Sequence, residues 1–199
     1  MASVRREVRG GAPMDAPVIA FRNAAEFEVW LQTHADAPTG VWLKLAKKGT
    51  DIPSLTDDEA VDVGLCFGWI SGQRRSLDAR FYLQKYVPRR PRSRWSCVNV
   101  RKVEALLRAG RMRPSGLAEV EAAKADGRWD AAYASQKNAT VPECLTVALA
   151  ASPRAARVFE ALGKTRRYGL ILKVMTARTE KGRASQVRRV VAELDAAAD

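Results

Sequence analysis

Histidine is almost missing from this chain. His34 is the only one in 199 residues, and no nucleophile or acid is patterned around it. A Ser-His-Asp or Cys-His arrangement therefore has nothing to build on. Cysteine is scarce too: Cys66, Cys97 and Cys144 are scattered, odd in number and form no CxxC pair. That argues against a disulfide framework or a structural zinc site and fits a reducing cytoplasm, with buried small apolar residues as the plain reading of all three. No GxGxxG and no P-loop occurs, so neither a dinucleotide nor a nucleotide cofactor is indicated, and no spacing suggests a metal. No apolar run is long enough to span a bilayer. Acids are outnumbered, with 22 Asp and Glu against 34 Lys and Arg, a formal net charge of +12.

That imbalance is the most informative thing present. A field of this sign suits an anionic partner: nucleic acid, acidic headgroups or an acidic protein. A composition biased to Ala, Arg and Gly competes as an explanation, with the spare arginines merely solvated. Hydrophobic residues at 47% and charged residues at 28% describe an ordinary globular chain. The segment 1–17 has arginines, Gly10, Gly11 and Pro13 but no apolar run. It reads as a flexible tail, neither signal nor anchor, and translation could begin at Met1 or Met14.

Patterning gives an α+β fold. A short strand is expected at Val18 to Phe21. A helix from Ala24 to Thr33 follows, with Asn23 and Glu26 as its capping box. The alternation from Val41 predicts a half-buried strand, with Val41, Leu43 and Leu45 opposite Trp42 and Lys44. Thr56 and Glu59 form a second capping box before a helix that breaks near Gly68. WISGQRRSLD and RFYLQKYV read as antiparallel strands, with Arg74 to Arg80 in or near the turn. The expectation is a small antiparallel sheet with covering helices in the N-terminal half, at 18–87. An all-helical C-terminal half follows at 88–199, in one compact unit with the first.

In that second half, Ser93 or Ser96 caps a helix ending at Gly110, and Ser115 starts another ending at Gly127. Trp129 and Tyr133 fall in an irregular stretch. Thr140 with Glu143 suggests a third capping box. Ser152 before Pro153 is a cap with proline at the first helical position. Tyr168, Ile171, Leu172 and Met175 make a helical stripe, and a last helix is capped by Thr179.

The charge is concentrated. Between Pro88 and Pro114 nine basic residues face Glu104 alone, and between Lys164 and Val190 nine more face Glu180 alone. Arg89, Arg90, Arg92 and Arg94 lie in a stretch that Pro88 and Pro91 should hold extended, and Trp95 closes the run. Trp95, Tyr82 and Tyr86 could stack exposed bases; alternatively Trp95 anchors the core. The candidate anion-binding residues are Arg74, Arg75, Arg89, Arg90, Arg92, Arg94 and Trp95, with no catalytic or metal-binding set.

CFGWISGQ at Cys66 to Gln73, YVPRRPRSRWSCVN, LLRAGRMRPSGLAEVEAAKADGRWDAAY and TRRYGLILKVMTARTEKGRASQV together resemble the YdeI/OmpD-associated family, also called bacteriocin-protection proteins. The likeness spans roughly Phe21 to Leu194, and the family's PRRP-x-S-x-WS is kept in Pro88, Arg89, Arg90, Pro91, Ser93, Trp95 and Ser96. It implies a soluble bacterial protein tied to envelope stress or bacteriocin tolerance, and brings no catalytic mechanism. Three functions follow as expectations. The first is a non-enzymatic protein binding an anionic partner, nucleic acid among the candidates, through a basic face. The second is an enzyme or small-molecule binder taking an acidic ligand between the two halves. The third is a structural role in which the connector arginines pair with local acids such as Asp78.

Overall fold

The computed structural model describes residues 15–177 and 179–197. The tail expected at 1–17, apart from its last three residues, lies outside the described residues, as do Met14 and Arg178. The chain folds as two units. One is Met1–Ser93 with Lys102–Gly127; the other is Arg94–Arg101 with Arg128–Asp199.

The first unit holds β1 (Val18–Ile19), α1 (Ala24–His34), β2 (Val41–Ala46), α2 (Asp57–Cys66), β3 (Trp69–Ser76) and β4 (Phe81–Pro88) in the order β1-β2-β4-β3. The sheet is mixed, not wholly antiparallel as expected. β1 runs parallel to β2, with Val18 opposite Trp42. The cause is α1, which carries the chain back across the sheet between them, as a parallel connection requires. β2 and β3 each flank β4 in antiparallel pairing.

Local chemistry explains the helix starts. Asn23 Oδ1 accepts from the Glu26 amide at 3.0 Å, and the Glu26 carboxylate accepts from the Arg22 amide at 2.8 Å. At α2 both halves of the Thr56–Glu59 box form. Hydrogen bonds from Thr56, first the backbone amide and then the hydroxyl, hold the Glu59 carboxyl below its ordinary range. A depressed carboxyl contributes stability above its unfolded pKa and loses it as pH falls through the folded value. Glu59→Gln is therefore expected to lower Tm at pH 7, and the gap from wild type should narrow as pH falls below the ordinary glutamate value of about 4.3. A pH series of thermal melts measures it; a gap that persists at low pH would show the ionised carboxylate is not the source.

The core lies between helices and sheet. Phe27 of α1 meets Tyr86 of β4 edge-on at 5.9 Å, and the Tyr86 ring also closes on Gly64 of α2. Gly40 turns the chain into β2 at φ +67°, where an added Cβ would lie 2.0 Å from the Tyr86 carbonyl oxygen. β4 is central, so Leu83, Gln84, Lys85 and Tyr86 are all buried and its two faces do not alternate in exposure. β2 departs from half-burial for the same reason: Trp42 is as hidden as Leu43. A bulge between Ser71 and Arg74 interrupts β3. Gln84 stitches it, donating to the carbonyls of Gly72 and Gln73 at 2.9 and 3.1 Å and accepting from Arg74 Nε at 2.8 Å.

α3 (Cys97–Arg108) begins under Ser96, whose hydroxyl accepts from the Asn99 amide at 3.2 Å. Its residues from Lys102 onward belong to the first unit, as does α4 (Pro114–Ala125). α4 starts one residue before the expected Ser115, with Pro114 in the first turn, while Ser115 donates to the Phe67 carbonyl at 3.0 Å.

In the second unit, α5 (Glu143–Ala150), α6 (Pro153–Ala161), α7 (Lys164–Met175) and α8 (Glu180–Ala196) close on one core that includes Leu145, Phe159, Ile171, Val174, Val190 and Leu194. Among the described residues no strand follows β4, and the only such pairing is a bridge between Ser96 and Tyr133. Ser152 and Thr179 cap as expected, accepting from the amides of Ala155 and Gly182. The box expected at Thr140 does not form; α5 starts after Pro142 without a side-chain cap. A proline drives its predecessor out of the α region, so Val141 is not available as the first helical residue. On α7 the buried residues are Leu170, Ile171 and Val174, a stripe turned slightly from the expected one.

Candidate anion-binding surfaces

The proline-arginine connector is not uniformly extended. Pro88 ends β4, but Arg90, Pro91, Arg92 and Ser93 make a tight turn. The Ser93 amide donates to the Arg90 carbonyl at 2.9 Å, and Arg92 adopts φ +70°. Proline second and a left-handed residue third is the type II pattern. Ser93 Oγ accepts from the Arg90 amide at 3.0 Å and closes the turn from its other side. Pro91 keeps Arg90 non-helical as expected, yet also serves as the corner of the reversal.

The turn separates the arginines by environment. Arg90 and Arg92 are exposed. Arg89 is 5% exposed, with its amide donating to the Gly68 carbonyl at 2.9 Å. In the second unit, the exposed Arg94 donates to the Thr176 hydroxyl. Trp95, 1% exposed, packs on Trp129 with ring centroids 5.0 Å apart. A stacking platform needs an open ring face, and Trp95 and Tyr86 have none; of the three aromatics expected to stack, Tyr82 is part-exposed, under Arg74 at 4.6 Å.

Arg74 and Arg75 lie within β3 and not in the turn, which spans 77–80. They point to opposite faces, as neighbours in a strand must. Arg74 pairs with Asp57 at 2.8 Å. Arg75 lies over the Trp42 ring at 4.7 Å and donates to Gln73 Oε1 at 3.3 Å. The Asp78 carboxylate accepts from the Arg80 and Phe81 amides, both at 2.8 Å, and closes the β3–β4 turn.

Part of the first basic cluster is neutralised by acids remote in sequence. Lys102 bridges Asp58 and Asp62 at 2.8 and 2.6 Å. Burial alone would lower the pKa of this lysine; the hydrogen bonds it donates to the two carboxylates outweigh burial and raise it. Glu28 takes Arg113 at 2.7 Å and Arg111 at 3.7 Å. Arg90, Arg92, Arg101 and Arg108 are exposed, and among the described residues no carboxylate pairs with them. In the second cluster Lys173 pairs with Glu193 at 3.1 Å, and Arg167 is held by the Phe159 and Glu160 carbonyls.

A second surface joins the expected Arg75 with Lys44 and Lys85, which were not among the candidates. On the sheet face carrying Trp42 and Leu83, three cations lie over aromatic rings. Lys44 Nζ is 4.1 Å from the Phe81 centroid, while Arg75 and Lys85 flank Trp42 at 4.7 and 5.3 Å. Alternation alone puts Trp42 and Lys44 together, but a buried lysine in a central strand has no sequence signature.

Among the described residues no group of three His, Cys, Asp or Glu could hold a metal, and no helix is long and apolar enough to cross a membrane. A groove of about 540 Å³ in the second unit is lined by residues including Cys144, Met175, Glu180 and Arg183.

Two families match the chain. The family described as "Domain of unknown function (DUF8412)" covers residues 19–119. The family described as "Bacteriocin-protection, YdeI or OmpD-Associated" covers residues 138–196. The second is the family the sequence resembles, over a shorter stretch than the likeness suggested; the PRRPRSRWS segment falls inside the first match. No curated protein and no solved structure matches the chain. The chain belongs to the DUF8412 family through its N-terminal half and carries a bacteriocin-protection, YdeI or OmpD-associated domain at 138–196.

Proposed function

We propose that this protein is a non-enzymatic bacterial binding protein of the cytoplasm, acting in envelope stress or bacteriocin tolerance. Its partner is anionic, with nucleic acid the first candidate. The observation that carries the reading is the turn at Arg90–Ser93, which projects Arg90 and Arg92 into solvent with no acid among the described residues against them. The net charge of +12 supports it as a long-range attraction, and free Cys66, Cys97 and Cys144 suit a reducing compartment.

The burial of Arg89 decides which substitutions test this. Removing Arg89 would disturb packing and charge together, whereas Arg90 and Arg92 can be altered at the surface. Arg92→Gly also relieves a left-handed backbone at no steric cost. The double variant Arg90→Ala, Arg92→Gly should keep or slightly raise Tm. Its affinity for a duplex oligonucleotide, followed by fluorescence anisotropy from 50 to 200 mM salt, should fall. The slope of log K against log salt should shrink by about 2, near 0.9 for each phosphate no longer neutralised. Wild-type protein that fails to bind at the lowest salt, or a variant with an unchanged slope, refutes the nucleic-acid reading at this site.

A further inference from the structure

The second basic cluster, between Lys164 and Val190, plays no part in the connector site, and α8 gathers some of it on one line. α8 packs against α5, α6 and α7. Its Val187, Val190 and Leu194 fill the core of the C-terminal unit, so the opposite arc of the helix faces solvent. At 3.6 residues per turn, Lys181, Ser185, Arg188 and Ala192 follow one another along that arc, and Arg189 lies beside them. Lys181, Arg188, Arg189 and Ala192 are exposed, and Ser185 is part-exposed.

The acids of α8 are turned to other tasks. Glu193 pairs with Lys173 of α7 at 3.1 Å, and Asp195 accepts from the Ser152 hydroxyl at 2.8 Å. Glu180, in the first turn, lines the groove beside Cys144 and Arg183. Among the described residues no carboxylate pairs with Lys181, Arg188 or Arg189.

The shape of this line favours a duplex over other anionic partners. Small side chains, Ser185 and Ala192, run down its centre, with Lys181 and Arg188 to one side and Arg189 to the other. A helix about 10–12 Å across fits a B-DNA major groove about 12 Å wide. Small central residues let the helix sink toward the bases while the flanking cations reach phosphates on both walls. A helix lying on a membrane needs large apolar groups toward the lipid; those of α8 are turned into the core.

We propose that α8 is a groove-binding helix for duplex DNA, with Lys181, Arg188 and Arg189 on phosphates and Ser185 against base edges. This rests on the nucleic-acid reading for its class of partner, but the surface is separate: neither Arg90 nor Arg92 belongs to it.

The test uses the full chain and follows a labelled duplex DNA by fluorescence anisotropy, with double-stranded RNA of the same sequence, polyglutamate and phosphatidylglycerol vesicles as competitors. An A-form major groove is too deep and narrow for side chains to read, so DNA should bind about tenfold more tightly than the RNA, or better. Arg188→Ala with Arg189→Ala should shrink the slope of log K against log salt by about 2 and remove the preference for DNA. Ser185→Glu, which sets a carboxylate between the cations, should weaken DNA binding by about tenfold or more. Thermal melts report whether each variant is folded, and Ser185→Glu carries the test if the arginine pair does not fold. Lys164→Ala with Arg166→Ala removes the same charge from exposed positions of α7 and should keep the preference. Wild type that binds RNA as tightly as DNA, an α8 pair that keeps the preference, or an α7 pair that loses it equally overturns the proposal. Polyglutamate or vesicles that compete as well as DNA at equal charge overturn the assignment to a duplex. Arg90→Ala with Arg92→Gly, measured alongside, separates the two surfaces. A slope reduced there but not in the α8 pair refutes the α8 site alone, the reverse refutes the connector site alone, and wild type that binds no duplex refutes both.

Discussion

Replacing Gly116 with alanine should cost the N-terminal unit about 3 kcal/mol or more, a Tm loss on the order of 10 °C. Gly116 lies in the first turn of α4, against the C-terminal end of α2. A Cβ there would sit 2.1 Å from the Cys66 carbonyl oxygen and 2.9 Å from that of Leu65. Both obstacles are main chain, so no side chain can swing aside. The Arg113 amide donates to the same Cys66 oxygen at 3.0 Å, and moving α4 away would break that bond. Gly169, inside α7, supplies the opposite sign. Nothing lies within 4 Å of its would-be Cβ, and alanine there should gain up to about 1 kcal/mol from helix propensity. Thermal melts of the two variants test the contrast; a Gly116→Ala protein as stable as wild type would mean that α4 does not approach α2 this closely.

The second large effect concerns Trp95. Its ring packs on Trp129, and its carbonyl accepts from the Tyr133 amide at 3.0 Å. Truncating a buried tryptophan to alanine costs about 3–5 kcal/mol. Trp95→Ala should therefore lower the melting transition of the C-terminal unit steeply. Measured well below that transition, its affinity for an oligonucleotide and its salt slope should match wild type. A variant that melts normally but has lost affinity would reverse the assignment and put the ring on the ligand.

Much of this architecture was legible in the residues, because most helix starts are written in two or three adjacent side chains. Asn23, Thr56, Ser96, Ser152 and Thr179 all cap the helices expected of them. Thr140 misled because Pro142 overrides the pattern it belongs to. Strand orientation was harder. The order strand, helix, strand at 18–46 implies a parallel pair, but a strand of two residues is too short to announce itself. Burial on both faces of β4 was hidden because Gln84 and Lys85 look like surface residues. Each is interior only because a bulge and a remote carboxylate satisfy it.

The candidate residues divided along similar lines. That Arg90 and Arg92 are exposed followed from their charge. That Arg89 is buried between a strand end and a turn did not, since neighbouring arginines carry the same local signal. Lys44 and Lys85 were passed over for the opposite reason: isolated lysines in strands gain meaning only when the register brings them beside the same aromatic face.

The two units do not follow the family boundaries, and that bears on anyone who would cut this gene. A clone stopping at 119 would divide α4 midway, leaving Gly116 on a stump with nothing to extend it. A clone starting at 138 would discard Trp95 and Trp129 from the body they help to fill. On the ribosome the same interleaving delays completion: the first body lacks its closing helix until residue 125 has emerged, long after its last strand is made.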